Sequence, residues 1–334
     1  MNFKSYSSIY GAKKSWLQII SNNSQNIYQT YEFNRLCYLY RITSLSNLKK
    51  GNILCDFIVG YENGVPVCIA PLVIDKKPKK CIRLLGHGTN AGYLDFIYSN
   101  EKYVNHMYEY VKTKYVEYEF EFIFVKEKSP LTKIMRSIEN FNNYSIHIED
   151  YDEYFSGLSK STRQNIRTSY NRISKDGRTY KLCVFDKNYK DLEKVLYYCN
   201  EIYHKRKKDW LEENIEYSTK IKRKILKRDV INQSMRRLDQ SIIAVLIIDN
   251  NPASYFMGLK YDDGIYIPRL AIDMEYSRYS PGIILINEFL KKCKNYNFKS
   301  YVFDLCRGDE KYKSSLKGEI TITNRLVKIN KKIK

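Results

Sequence analysis

The stretch GIYIPRLAIDMEYSRYSPGIILINEFL (264–290) reads as a strand, a short irregular loop and a helix. Pro281 suits a first helical position, because the N–H it lacks would have no helical partner there. Ser280, just before it, is a suitable N-cap, and Ile283, Ile286 and Leu290 recur on one helical face. A strand–loop–helix junction of this kind presents backbone N–H groups and the positive end of the helix dipole, which together favour phosphate. Arg278 could add a charge-assisted contact. An ordinary capped helix would carry the same pattern.

Outward from this junction, SIIAVLIIDNNPASYFMGLK (241–260) reads as a hairpin turning at Asn250-Asn251, and a second turn follows at Asp262-Asp263-Gly264. KSYVFDLC (299–306) and ITITNRLVKI (320–329) are further strands. Upstream, a basic helix within 151–177 ends at Gly177, then come a strand, YKLCVF (180–185), and helices over 189–212 and 218–238. The first half has a related order. Residues 13–50 read as helical, 53–74 as a hairpin around Glu62-Asn63-Gly64, 101–116 as a helix and 120–125 as a strand. Helices alternating with short sheets predict an α/β (α+β) chain, divided near residue 150 into 1–150 and 151–334.

Composition narrows the class. The 334 residues include 57 Lys and Arg against 37 Asp and Glu, a net charge of +20, and the half after residue 150 carries +15 of it. That field suits an anionic ligand, nucleic acid or an anionic membrane face, although lysine-rich faces also serve solubility alone. Eight cysteines without a CxxC pair argue against a metal site or a disulfide framework. The N-terminus has no apolar signal core, and no run approaches the ~18 apolar residues of a membrane span. The expectation is a soluble cytoplasmic protein, with peripheral contact at the inner membrane face compatible with its charge.

The densest chemistry is DLCRGDEKYK (304–313), where a strand end delivers Asp304, Arg307, Asp309, Glu310, Tyr312 and Lys313 into one turn. A structural ion pair around Arg307 is the competing reading. His204 sits among cations that would favour its neutral form, and His87 and Asp95 lie in the Gly-rich loop GHGTNAGYLDF (86–96). Cys306 suggests a thiol nucleophile, but no histidine stands beside it in sequence, which favours a packed residue.

LSKSTRQNIR (158–167), HKRKKDW (204–210), YSPGIILI (279–286) and FDLCRGDEKYK (303–313), in this order, resemble the acetyltransferase group named for CelD cellulose-biosynthesis proteins and BioF2-like acyltransferases. These are FemAB-related proteins of the GNAT superfamily, with a signature of roughly "YSPG-x-L-L … FD-x-x-RGDE-x-YK". Ser280, Pro281, Gly282, Asp304, Arg307, Gly308, Asp309, Glu310, Tyr312 and Lys313 match it. In the first half, YQTYEF (28–33) is similar to the family's "FQTPEW" without its proline and tryptophan, and Ala70-Pro71-Leu72 and Tyr93-Leu94-Asp95 to its "PL … YLD".

The resemblance implies two tandem GNAT-like domains, each a mixed, mostly antiparallel sheet flanked by helices. The C-terminal copy would hold the donor, acyl-CoA (acetyl-CoA first), with no metal. It implies a pyrophosphate site at Arg278, Tyr279, Ser280, Pro281 and Gly282. The pantetheine would lie between splayed strands near IPRLAID and YVFDLC. Asp309 or Glu310 would serve as base, Tyr312 as acid, and Arg307 and Lys313 at an anionic acceptor or the oxyanion. His87, Asp95, His204 and Asp304 are the acceptor-side candidates, the first two expected in an inter-domain cleft. The implied function is acyl transfer to an amine or hydroxyl of a sugar or cell-surface polysaccharide precursor. The alternatives are a FemAB-type aminoacyl transferase using charged tRNA, favoured by the +15 half, and a non-catalytic nucleic-acid or membrane-surface binder.

Overall fold

The computed structural model describes residues 1–21, 26–43, 53–76, 80–210, 229–262, 264–293 and 301–328. The chain forms two compact units, Met1–Asn143 with Thr321–Lys334, and Tyr144–Ile320. A division at residue 150 misses one feature, namely that the first unit takes a strand from the far end of the chain. The physical reason is a long-range pairing in which Thr323–Val327 adds antiparallel to Lys126–Glu121.

In the first unit the strands are β1 (Asn2–Tyr6), β2 (Ile53–Glu62), β3 (Val65–Asp75), β4 (Cys81–Leu84), β5 (Ile97–Tyr98), β6 (Glu119–Lys126), residues 136–143 of β7 (Arg136–Ile148) and most of the strand Glu319–Val327. The order β1-β2-β3-β4-β6 continues into that last strand, and β5 pairs with β3. Among the described residues, β1–β2, β2–β3, β3–β4, β3–β5 and the pairing of β6 with the last strand are antiparallel, and β4–β6 is parallel. The β2–β3 turn has Asn63 and Gly64 at φ 50° and 80°, the left-handed pair that a two-residue hairpin requires. β7 was not anticipated, because RSIENFNNYSIHI lacks a continuous apolar alternation.

Residues 13–50 are not one helix. Helices α1 (Ile9–Ser21) and α2 (Tyr31–Thr43) are separated by a 3-10 turn, Ile27–Gln29, and 44–50 fall outside the described residues. The break has a cause in side chains. Asn26 Oδ1 accepts from the Tyr28 N–H at 3.0 Å, and its amide donates to Gln29 Oε1 at 2.8 Å. Gln29 in turn donates to the Phe96 carbonyl at 3.1 Å, and the Tyr28 and Tyr93 rings lie 6.2 Å apart. The YQTYEF and YLDF segments therefore meet in the core, and the ties seen there are structural.

Taking the helices in chain order after α2, α3 (Lys102–Lys114) and α4 (Leu131–Ile134) belong to the first unit. Those described in the second unit are α5 (Tyr151–Gly157), α6 (Lys160–Lys175), α7 (Leu192–Trp210), α8 (Val230–Arg237), α9 (Pro281–Lys292) and α10 (Lys311–Ser315), and the end of β7 belongs to it too. Its strands β8 (Tyr180–Phe185), β9 (Ser241–Ile248), β10 (Asn251–Tyr261), β11 (Gly264–Ile272) and β12 (Tyr301–Arg307) run β12-β11-β10-β9-β8. Of the helix expected over 218–238, residues 218–228 lie outside the described residues, as do 294–296 of the helix expected to run to about Tyr296. Gly177 ends α6 at φ 65°, as the sequence anticipates.

Two features of this sheet build the site. First, β10 and β11 change register, with Leu259 opposite Tyr266 but Met257 opposite Arg269, so Ile267 and Pro268 form a bulge opposite Gly258. Pro268 has no N–H to leave unpaired and is at home in a bulge. Second, the parallel pairing of β11 with β12 spans only Gly264–Tyr266 against Val302–Asp304, ending where the bulge begins. Beyond Tyr266 the two strands run on without a paired residue among those described. Beneath them Phe256, Phe289 and Phe303 pack together, with centroids 4.9, 5.7 and 5.6 Å apart.

Candidate functional site

A cavity of about 300 Å³ opens where β11 has left β12, lined by Leu270, Ile272, Ser277, Ser280, Gly282, Ile283, Glu310 and Tyr312. It brings together the two segments that the sequence singles out, the loop before α9 and the turn after β12. Ile283 is half-buried and turned to this space, whereas Ile286 and Leu290 from the same apolar face are buried in the core.

The loop before α9 is a 3-10 turn, Met274–Tyr279, followed by Ser280 in the left-handed region at φ 50°. Ser280 does not cap through its side chain as expected. Its side chain makes no capping hydrogen bond, and its carbonyl accepts the Ile283 and Ile284 N–H groups at 3.0 and 3.2 Å. Pro281 does occupy the first turn, and a signal absent from the local pattern fixes it, since the buried Ser254 of β10 donates to the Pro281 carbonyl at 2.9 Å. At Gly282 a Cβ would stand 3.1 Å from Ile272 Cγ2 and 3.6 Å from Leu270 Cδ2, so glycine keeps the loop backbone open to the cavity.

Arg278 is exposed and reaches Asp176 at 3.4 Å, and Arg172 of α6 donates to the Arg278 carbonyl at 2.9 Å. Tyr279 is buried instead, its hydroxyl donating to Asp176 at 2.8 Å. That bond holds the phenol above its ordinary range. Its side chain thus belongs to the scaffold that ties the loop to the end of α6.

In the turn after β12 the six candidates separate by environment. Glu310 and Tyr312 line the cavity. Asp309 is exposed and accepts from Tyr144 of β7 at 3.3 Å, outside the lining, and Tyr144 is a neighbour that local sequence could not reveal. Asp304 is buried and accepts the Cys306 N–H at 2.7 Å, which is a turn-forming role. Lys313 is buried with its ammonium on the Cys306 and Arg307 carbonyls and on Glu310. Arg307 is half-buried at the strand end. Cys306 is buried at φ 54°, its Sγ 3.8 Å from the Asp304 carbonyl, in keeping with a packed residue.

The acceptor-side candidates are not gathered into this cavity. His204 is half-buried on α7, between Tyr203, whose ring lies 4.6 Å from the buried Arg269 guanidinium, and Lys205, which pairs with Asp273 and Glu275. His87 and Asp95 belong to the first unit. Burial, reinforced by Arg83, pushes the His87 imidazole down to about 4, and burial pushes the Asp95 carboxyl up to about 7. Because the folded state keeps the Asp95 proton that the unfolded chain releases near the ordinary carboxylate value, stability falls as pH rises from about 4 to about 7. Urea unfolding at pH 4.5 and 7.5 checks this, with Asp95→Asn losing less stability over that interval than the wild type. Parallel pH curves for the two proteins would contradict it.

Among the described residues there is no cluster of histidine, cysteine or acidic side chains suited to a metal, and no helix is long and apolar enough to cross a membrane.

Residues 160–314 match the model of the acetyltransferase (GNAT) domain. The second unit thus carries a domain of the GNAT superfamily, and the protein is an enzyme of the acyltransferase class. Similar solved structures extend along the whole chain. A conserved protein of unknown function from Bacteroides thetaiotaomicron aligns at a TM-score of 0.58 and 11% identity, covering 98% of this chain and 100% of that one. A tandem GNAT protein from the clavulanic acid biosynthesis pathway aligns at 0.54 and 8%, covering 98% of both chains. FemX aligns at 0.50 and 12%, covering 99% and 98%. At such identities the likeness shows the fold alone. No curated protein matches the sequence.

Proposed function

We propose that the protein moves an acyl group, acetyl first, from acyl-CoA to an amine or hydroxyl of a sugar or cell-surface polysaccharide precursor, as a member of the CelD/BioF2-like group. The observation that carries this reading is the single cavity shared by Ser280 and Gly282 of the α9 loop and Glu310 and Tyr312 after β12. In this reading the second unit is the donor-binding domain and the first a degenerate copy. The protein works in the cytoplasm, with its basic surface able to meet the inner membrane face.

The residues divide the chemistry. The Gly282 backbone at the start of α9 meets the donor's phosphates, with Arg278 adding charge at the rim. Leu270, Ile272 and Ile283 supply an apolar wall for the pantetheine arm. Glu310 accepts the proton of the acceptor's nitrogen or oxygen as that atom bonds to the thioester carbonyl carbon. Tyr312 gives its hydroxyl proton to the sulfur as the carbon–sulfur bond breaks. The proton on Glu310 then returns Tyr312 to its neutral form through solvent. Asp309, outside the lining, supports the turn.

A thermal-shift comparison of acetyl-CoA, longer acyl-CoAs and charged tRNA tests the donor. A ligand that binds only the folded state at ~100-fold excess over Kd stabilises by about 2.7 kcal/mol. Acetyl-CoA raises the melting temperature, and Gly282→Asp, which places a carboxylate at the loop, abolishes the rise while the ligand-free melt stays near wild type. Stabilisation by charged tRNA alone would replace this reading with aminoacyl transfer, which the +15 charge after residue 150 supports.

A further inference from the structure

We infer that Lys313 is a positioning residue that acts through Glu310, its ammonium tying the end of β12 to the Glu310 carboxylate and so holding that carboxylate at the cavity. The inference rests on the reading of this cavity as the transfer site. Lys313 has only 3% of its side chain exposed. Its ammonium has three donors, and the structure supplies three acceptors, namely the Cys306 carbonyl at 3.3 Å, the Arg307 carbonyl, and Glu310 Oε2 at 3.0 Å. No donor is left over for a substrate, so a direct role at the oxyanion does not suit this lysine.

The backbone that it gathers is one that ordinary residues avoid. Cys306 has φ 54° and Gly308 φ 121°. The Glu310 side chain folds over Gly308, where a Cβ would collide with Oε2. Conformations of this kind persist only where the surroundings over-determine them. Two buried groups do so here. Asp304 fixes the Cys306 N–H, and Lys313 fixes the carbonyls of Cys306 and Arg307. Glu310 itself is half exposed, with 52% of its side chain open to solvent, and Lys313 is the cation that holds it. Removing that cation frees the carboxylate to swing away from the cavity.

The test combines a crystal structure of Lys313→Gln with a double-mutant cycle. Glutamine keeps two amide N–H donors for the strand-end carbonyls but loses the positive charge that holds Glu310. The expected structure keeps the 306–308 backbone but shows Glu310 turned away from Gly308. Glu310 unmoved in that structure overturns the inference. In turnover assays reading the thiol released from acetyl-CoA, Lys313→Gln lowers kcat ~10- to 100-fold while the KM for acetyl-CoA stays within ~3-fold. In a Glu310→Gln background the same change costs less than ~3-fold, because both substitutions remove one function. Losses that multiply would show that Lys313 acts independently of Glu310, overturning the inference while leaving the cavity reading intact. Wild-type turnover in Glu310→Gln alone would sink both. An activity loss matched by an equal loss of folded protein in thermal melts would leave Lys313 a stabilising residue only, and the inference would fall.

Discussion

Glu310→Gln and Tyr312→Phe each lower kcat by ~10²–10⁴, the usual effect of removing a general base or acid, while Asp309→Asn stays within ~3-fold of wild type because its loss leaves the transfer groups in place. The contrast follows from where the side chains lie. Glu310 and Tyr312 line the cavity, whereas Asp309 is exposed and engaged by Tyr144. Both substitutions, Glu310→Gln and Tyr312→Phe, are close to isosteric, so melting temperatures should remain near wild type. Turnover and melting measured on the same preparations separate chemistry from folding. A large loss in Asp309→Asn, with full activity in Glu310→Gln, would transfer the base role to Asp309.

Phe289→Ala destabilises the second unit by about 3–5 kcal/mol, the range for an aromatic side chain deleted from a core. Phe289 is fully buried on α9 between Phe256 and Phe303, with ring centroids at 4.9 and 5.6 Å. Truncation removes its apolar burial and leaves a cavity that rigid neighbouring strands cannot close. The edge-to-face contact with Phe256 adds ~0.5–1.5 kcal/mol to what area alone would give. Urea unfolding followed by circular dichroism measures the change. Ile320→Ala is the control, because that side chain is 56% exposed and such surface changes usually stay within ~0.5 kcal/mol. A Phe289→Ala loss no greater than the control's would mean that the three rings do not form the core of this unit.

The two predictions also differ in how far sequence could have led to them. That a helix starts at Pro281 is local, since proline's fixed φ and missing N–H suit a first turn wherever they occur. The Asn63-Gly64 hairpin and the Gly177 helix end are local for the same reason, each set by a residue that tolerates positive φ. The apolar face of α9 is legible from its period of 3.6 residues. The RGDE-x-YK segment stands out because its residue types and order are specific.

What sequence could not supply is which members of that segment share a space. Seven polar side chains within ten residues, Asp304, Arg307, Asp309, Glu310, Lys311, Tyr312 and Lys313, look equivalent when written in a line. Folding separates them. Asp304 and Lys313 turn inward to backbone groups, Asp309 turns to Tyr144, and Glu310 and Tyr312 reach the cavity. The partners that decide this come from distant positions. Tyr144 lies 165 residues from Asp309, and Leu270, Ile272 and Gly282 are brought beside Glu310 only because the Ile267–Pro268 bulge bends β11 away from β12. The break between α1 and α2 likewise depends on Gln29 meeting the Phe96 carbonyl, 67 residues on. Sequence by itself determined the local elements and the α/β class and singled out the 304–313 segment, because propensity, turn geometry and motif act over a few neighbouring residues. The tertiary structure alone decided the strand that the first unit takes from the chain's end, the opening between β11 and β12, and the surroundings of each side chain in 304–313, because burial and hydrogen bonding there are set by residues far apart in the chain.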